Sequence, residues 1–99
     1  MTTTRDLGRV VMTPGIRDAI EADALFSEYV LSCLRRHGRG DCGEMDPYDV
    51  AVNSHAWIAG LRVLSAYTDP RFPSRGVACL WIITEADRAS TCILFPDEY

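Results

Sequence analysis

The chain contains no lysine. All ten of its basic residues are arginine, they are outnumbered by 14 acidic residues, and the formal net charge is −4. The arginines are scattered, with no run longer than two residues. Proteins that bind nucleic acid usually carry a basic stripe, because counterion release from phosphates drives their affinity. We therefore expect no direct binding to DNA or RNA, and a partner chosen by charge would present a basic surface.

Long apolar runs are absent as well. The longest, residues 77–83, has the length of a strand, whereas a membrane span needs about 20 residues. Residues 1–6 contain no apolar signal core. We therefore expect a cytoplasmic protein without a membrane partner. The 99 residues, 47% of them apolar, predict one compact domain over residues 1–99, with its own core and little room for a deep pocket.

Known catalytic motifs are absent too. The chain has no G-x-S-x-G elbow, phosphate-binding loop, dinucleotide fingerprint or C-x-x-C pair. Cys33 and His37 would share a helical face and could bind zinc with Cys42, but the fourth ligand would have to be the distant His55. We predict no catalytic residue, no metal and no cofactor, with buried thiols and a histidine at a helix end.

The cysteines are expected to be reduced in the cytoplasm. A hairpin that turns at Asp87 and Arg88 would place Cys92 opposite Ile83. Cys79 would then lie four residues further along the same strand, which is too far for disulfide geometry.

Three helices are predicted. The clearest covers residues 24–36, where apolar pairs recur every four residues, with Asp23 as its N-cap and Gly38 as its stop. A brief helix capped by Thr13 precedes it, and a third helix is capped by Asp46. The predicted inner face of the third helix consists of Val50, Ser54, Trp57, Ile58 and Leu61.

Strands are predicted over residues 7–12, 61–67, 77–84 and 90–95. The third of these is apolar on both faces, as expected of a central strand. Residues 68–76 form an exposed, proline-rich turn before it. The predicted fold is α+β: a small antiparallel sheet of about four strands, packed with two to three helices, in the order β-α-α-α-β-β-β.

Acidic side chains fall into two groups. Asp41, Glu44, Asp46 and Asp49 lie within nine positions that contain no basic residue. Their spacing does not match a calcium-binding loop of the EF-hand type, which places oxygen ligands at set positions along about 12 residues. The start of a helix explains two of the four, because acidic residues cap a helix and interact with its dipole.

The second acidic group follows a predicted strand, a position where active residues often lie. It consists of Glu85 and Asp87, with Arg88 next to them. Nucleases of the restriction type carry Glu-x-Lys on a central strand, but here the third position is Asp and the chain has no lysine. A charged hairpin turn with a weak local ion pair is the favoured interpretation.

Five segments share a pattern with known proteins. They are L-G-R-V-V-M-T-P-G at 7–15, R-H-G-R-G-D-C-G at 36–43, R-V-L-S-A-Y at 62–67, L-W-I-I-T-E-A-D-R at 80–88 and C-I-L-F-P-D-E-Y at 92–99. In this order they resemble a family of small "plasmid-related" bacterial proteins carried on plasmids and integrative elements. The W-I-I-T-E-A-D-R block is the most specific part. The family usually has Trp where this chain has Cys42, and its loop before that block is shorter than residues 68–76.

The resemblance implies a mobile-element gene and carries over no established chemistry. Small acidic proteins in that setting include anti-CRISPR and antirestriction proteins, which commonly block a basic nucleic-acid channel. We therefore expect a non-enzymatic inhibitor that binds a CRISPR effector or a restriction subunit, either as a wedge or as a DNA mimic. The residues expected to contact this partner are Asp41, Glu44, Asp46, Asp49, Glu85 and Asp87.

Two other hypotheses are open. The chain could be a small hydrolase or nuclease-like toxin that uses Glu85, Asp87 and Arg88, but the lack of lysine and of a paired histidine argues against it. It could also be a regulatory partner of an element-encoded protein, such as an antitoxin. Antitoxins usually bring a DNA-binding helix pair or a disordered tail, and the sequence predicts neither.

Overall fold

The computed structural model describes residues 5–75 and 78–99. The element order confirms the predicted α+β class and the order β-α-α-α-β-β-β. The elements are β1 (Arg9–Met12), α1 (Pro14–Ala22), α2 (Ala24–Gly38), α3 (Pro47–Ala59), β2 (Val63–Tyr67), β3 (Leu80–Thr84), β4 (Ser90–Leu94) and a final 3-10 turn (Pro96–Glu98).

The strands form one four-stranded sheet in the order β1-β4-β3-β2. The pairs β2–β3 and β3–β4 are antiparallel, as predicted, but β1 runs parallel to β4, so the sheet is mixed. Local turns set the direction of the last three strands. No turn joins β1 to β4, because three helices and two strands separate them in the chain, so tertiary packing sets their direction.

The register of the β3–β4 hairpin agrees with the sequence prediction. Ile83 faces Cys92 across the pair, and all four cysteines are free thiols. The predicted start of β3 at position 77 falls outside the described residues, together with Gly76, and the observed strand begins at Leu80.

The core lies between one face of the sheet and the helices α1 and α2. Both helices start at predicted caps, since Thr13 accepts a hydrogen bond from the backbone N–H of Ile16 and Asp23 accepts one from that of Leu25. The buried apolar cluster comprises Ile16, Phe26, Tyr29, Val30, Cys33, Tyr67, Cys79, Leu80, Ile82, Ile93 and Phe95.

The loop after β2 is tied to this core. Most of residues 68–75 are exposed, as predicted, but Phe72 packs inward. Its ring stacks on Tyr29 with a centroid distance of 5.0 Å and meets Phe26 edge-on at 5.2 Å. The aromatic side chain therefore anchors a segment whose composition alone indicated only a turn.

The predicted inner face of α3 is wrong except for Trp57, which is half-buried beside His37. Asn53 and Ala56 are the buried residues of this helix, whereas Val50, Ser54, Ile58 and Leu61 are exposed. Apolar residues lie all around α3, so their periodicity does not indicate which side is buried. Contact between Asn53 and the edge of β2 decides which side of α3 is buried.

Candidate functional site

Helix α3 has local signals at both of its ends. The Asp46 side chain accepts hydrogen bonds from the backbone N–H groups of Tyr48 (2.9 Å) and Asp49 (3.1 Å), which confirms Asp46 as the N-cap. Pro47 occupies the first helical position, where its missing N–H costs nothing. The helix stops at Gly60, whose φ of 71° is left-handed.

Asn53 fixes the helix against the outer edge of β2. Its amide nitrogen donates to the carbonyl of Leu64, and its amide oxygen accepts from the Leu64 N–H at 3.4 Å. Next to this pair, the N–H of Ala66 donates to the carbonyl of Cys42 at 3.0 Å. Three outward backbone groups of this edge strand, the N–H and C=O of Leu64 and the N–H of Ala66, are therefore bonded, which hinders pairing with another strand.

This packing turns a largely apolar stripe of α3 outward. We call Tyr48, Val52, His55 and Ile58 the α3 surface. Ile58 is 87% exposed and Tyr48 is 76% exposed, although both side chains are large and apolar or amphipathic. No arginine or lysine occurs in the helix. Exposed apolar groups that cluster in this way often mark a contact surface.

The acidic loop before α3 is built into the fold. Asp41 accepts a 2.8 Å hydrogen bond from Nε of Arg36 and another, at 3.1 Å, from the backbone of Gly43. The bond from Arg36 holds the pKa of the Asp41 carboxyl below its usual value. Glu44 accepts from the N–H and the hydroxyl of Thr68 at 3.1 and 3.2 Å. Both carboxylates therefore hold the loop against α2 and β2.

Arg88 closes the other end of α3. Its guanidinium donates to the carbonyls of Ala56 (2.9 Å) and Leu61 (2.7 Å), and also to that of Glu85 (3.0 Å). The same group lies 4.9 Å from the centre of the Trp57 ring. The Ala56 carbonyl also accepts from the backbone N–H groups of Gly60 and Leu61, so Arg88 adds a charged donor to the C-terminal cap of α3 and joins it to the β3–β4 turn.

The second acidic group lies at this same end. Glu85 is 3.7 Å from Nε of Arg62, and Asp87 accepts from the N–H of Ala89 at 2.9 Å, as in an Asx turn. Helix α3 is about 20 Å long, because its 13 residues rise about 1.5 Å each. The six predicted contact residues therefore do not form one cluster: Asp41, Glu44, Asp46 and Asp49 lie at one end of α3, Glu85 and Asp87 at the other.

His37 lies in the last turn of α2, as predicted for a helix-end histidine, and its side chain is fully buried against the sheet. Nδ1 lies 2.6 Å from the Ser65 hydroxyl, and Nε2 lies 2.7 Å from the Thr84 hydroxyl. The Thr84 hydroxyl is 2.7 Å from that of Thr91, which donates to the carbonyl of Leu7 at 2.7 Å. We call these five groups the His37 chain.

The His37 chain has one direction. The carbonyl of Leu7 can only accept a hydrogen bond, so the Thr91 hydroxyl donates to it. Because Thr91 has no second hydrogen, it accepts from the Thr84 hydroxyl. Thr84 in turn accepts from Nε2–H of His37. In the neutral imidazole, Nδ1 then accepts from the Ser65 hydroxyl. Burial, together with the positive charge of Arg88, lowers the pKa of His37 to about 4.

Sequence reasoning missed this network. One signal was present: Ser65, Thr84 and Thr91 occupy inward positions of their strands, where apolar residues are expected. Both ring nitrogens of His37 are used, so it cannot join Cys33 and Cys42 as a zinc ligand in this arrangement. Within the ranges 5–75 and 78–99, no three His, Cys, Asp or Glu side chains are grouped to hold a metal ion.

In the part of the chain that the structure describes, no helix combines the length and the apolar character needed to span a bilayer. Comparison of the sequence with family models gave no match. Searches of curated proteins and of solved structures gave no significant match either.

Proposed function

We propose that this protein inhibits a host defence complex, a CRISPR effector or a restriction enzyme, by binding it through the α3 surface and the carboxylates at the two ends of that helix. The observation that carries the proposal is the outward, largely apolar stripe of α3, on a helix without arginine or lysine and with acidic groups at each end. The mobile-element context comes from the resemblance of the sequence.

The layout of this surface supports a protein partner. Protein interfaces typically have an apolar centre that excludes water and a polar rim that steers association. Tyr48, Val52 and Ile58 supply exposed apolar side chains between the two acidic ends. Asp49 and Asp87 lie at opposite ends, are exposed to solvent, and form no ion pair with the described residues. A basic channel that normally holds nucleic acid matches this pattern in charge.

The six acidic residues then have different roles. Asp49 and Asp87 are the proposed direct contacts. Asp46 caps the helix that presents the surface, and Asp41 and Glu44 hold the loop that leads into it. Their charges add to the field at that end of α3, but substituting them would also disturb the fold. Glu85 forms an ion pair with Arg62, so less of its charge is available to a partner.

The contacts of Arg88 weigh against the hydrolase alternative. Both terminal amino groups of its guanidinium donate to backbone carbonyls, and Asp87 is engaged with the backbone of its own turn. A catalytic Glu85–Asp87–Arg88 group would need these side chains free to meet a substrate. We therefore propose a cytoplasmic binding protein that needs no metal or cofactor.

The proposal is tested by expressing the chain in bacteria that carry an active CRISPR or restriction system, and measuring the plating efficiency of a targeted phage. We expect expression to raise plating in at least one such system. The sensitive variants are Ile58→Asp, which places a charge on the most exposed apolar side chain of the α3 surface, and Asp49→Arg, which reverses the charge at its rim.

Two controls match these changes away from α3. Leu31 on α2 is also exposed, so Leu31→Asp adds the same charge elsewhere. Asp18 on α1 is an exposed carboxylate, so Asp18→Arg shifts the net charge equally. Ile58→Asp and Asp49→Arg should lose protection of the phage while both controls keep it. Equal activity of all four variants, or no protection in any defence system, would contradict the proposal.

A further inference from the structure

The two edges of the sheet differ. The β2 edge is closed by Asn53 and by the backbone of Cys42, whereas no described residue pairs with the outer side of β1. An open edge strand with apolar side chains is a ready template for another strand. Val10, Val11 and Met12 of β1 are 38 to 42% exposed, so apolar groups line this edge on both faces of the sheet.

The hydrogen bonds of β1 show which backbone groups are free. Arg9 N–H donates to the carbonyl of Ala89 at 3.0 Å, and Thr13 N–H donates to that of Ile93 at 3.1 Å. In a parallel pair, alternate residues bond to the partner strand with both of their backbone groups. The odd-numbered residues therefore face β4, and the N–H and C=O groups of Val10 and Met12 point outward.

We infer that a second copy of this chain covers the edge, with β1 of each copy antiparallel to β1 of the other about a two-fold axis at Val11. In this register Val10 pairs with Met12 of the second copy, and the reverse pair follows from symmetry. Four backbone hydrogen bonds form, and all four free groups of each copy's strand are used. The two sheets become one continuous sheet.

Other antiparallel registers leave some of the outward backbone N–H and C=O groups of β1 without a partner. Centring the axis on Val10 would pair Met12 with Gly8, whose φ of 61° is not extended and whose N–H already donates to Asp6 at 3.0 Å. Centring it on Met12 would pair Val10 with Pro14, which has no N–H and begins α1.

Charge supports the same register. Arg9 of one copy would face Thr13 of the other, on the same face of the sheet. The Thr13 hydroxyl donates to the Glu98 carboxylate at 2.7 Å, so a carboxylate stands beside the position that Arg9 reaches. Arg9 forms no ion pair with the described residues of its own chain. Two symmetric Arg9–Glu98 pairs would flank the apolar contact.

The experiment is sedimentation equilibrium of the full chain at micromolar concentration, which should give twice the chain mass of 11.0 kDa. Val10→Pro removes an outward N–H that β4 does not use, so the monomer should keep its circular dichroism while the dissociation constant of the dimer rises at least about tenfold. Arg9→Glu should weaken the dimer as well. A parent chain that sediments as a monomer would overturn the inference.

Cysteine cross-linking tests the register even if Val10→Pro does not fold. The background is Cys92→Ser, because Cys92 is half-buried and pairs with Val11 across the β1–β4 ladder. Val11→Cys should form a dimer disulfide on oxidation, since the Cα atoms at the axis would lie about 4.5 Å apart. Val10→Cys is the matched control and should not cross-link. Equal cross-linking at both positions, or none at position 11, would contradict the register.

The inference does not depend on the proposed inhibitory function. The α3 surface lies beside β2, at the opposite edge of the sheet from β1. If the chain is a dimer but protects no phage, only the proposed function is contradicted. If it inhibits a defence system as a monomer, only the dimer is contradicted.

Discussion

At the residue scale, acidic side chains of the same group differ in what they contact. Asp41 accepts hydrogen bonds from Arg36 and Gly43, whereas the Asp49 side chain accepts none from the described residues. We expect Asp41→Ala to lower the free energy of unfolding by about 1 to 2 kcal/mol, because a paired guanidinium and a backbone N–H lose their acceptor. The pair is partly exposed, which limits the loss.

Asp49→Ala is the matched variant. It removes one favourable charge from the first turn of α3, so the cost should stay below about 1 kcal/mol. Urea denaturation of both variants measures the difference. Equal losses would show that the Arg36 contact does not stabilise the loop. This comparison also matters for binding experiments, because of these two carboxylates Asp49 is the one expected to change binding with little loss of stability.

At the element scale, Arg88 holds α3 to the β3–β4 hairpin. Arg88→Lys keeps the charge, but a single ammonium group cannot reach carbonyls on both elements at once. We expect the substitution to lower the free energy of unfolding by about 1 to 3 kcal/mol, the usual cost of carbonyl acceptors that lose a charged donor. Thermal or chemical denaturation gives the value.

The control for this prediction is Arg17→Lys. Arg17 is exposed on α1 and its nearest carboxylate, that of Asp18, is 3.9 Å away. An exposed pair of this kind contributes little, so the control should change the free energy of unfolding by less than about 0.5 kcal/mol. A similar effect of both substitutions would mean that the bonds of Arg88 to α3 contribute no more than surface charge.

At the scale of the whole molecule, stability should depend on the protonation of His37. Its pKa is about 4 in the folded chain and about 6.5 in an unfolded one. Between these values the unfolded chain binds a proton that the folded chain does not. The free energy of unfolding should therefore fall as the pH falls from about 6.5 towards 4, by up to about 3 kcal/mol, and should not change through His37 above that range.

Denaturation curves at several pH values test this expectation. His37→Asn should lose most of the slope between about pH 6.5 and 5, where carboxylates contribute least. His55→Asn is the matched control, because it replaces an exposed histidine of α3 and leaves the His37 chain intact. Parallel curves for the parent and the His37 variant would show that the His37 chain tolerates a charged imidazole.

Features that depend on neighbours in the chain were predictable. Asp23 and Asp46 cap helices because a cap needs only a side-chain oxygen and N–H groups two or three residues away. The β3–β4 register followed from a turn of known position, which placed Cys92 opposite Ile83. The α+β class followed from the periods of the apolar residues, which differ between helix and strand.

The direction of β1, the buried side of α3 and the His37 chain depend on contacts between distant residues. His37 meets hydroxyls 28 and 47 positions away, and nothing local indicates that they converge. The sequence by itself thus determined the elements, their order and the acidic groups. Only the tertiary structure decided which carboxylates stay free and which apolar side chains face solvent, because packing chooses among faces that periodicity leaves equivalent.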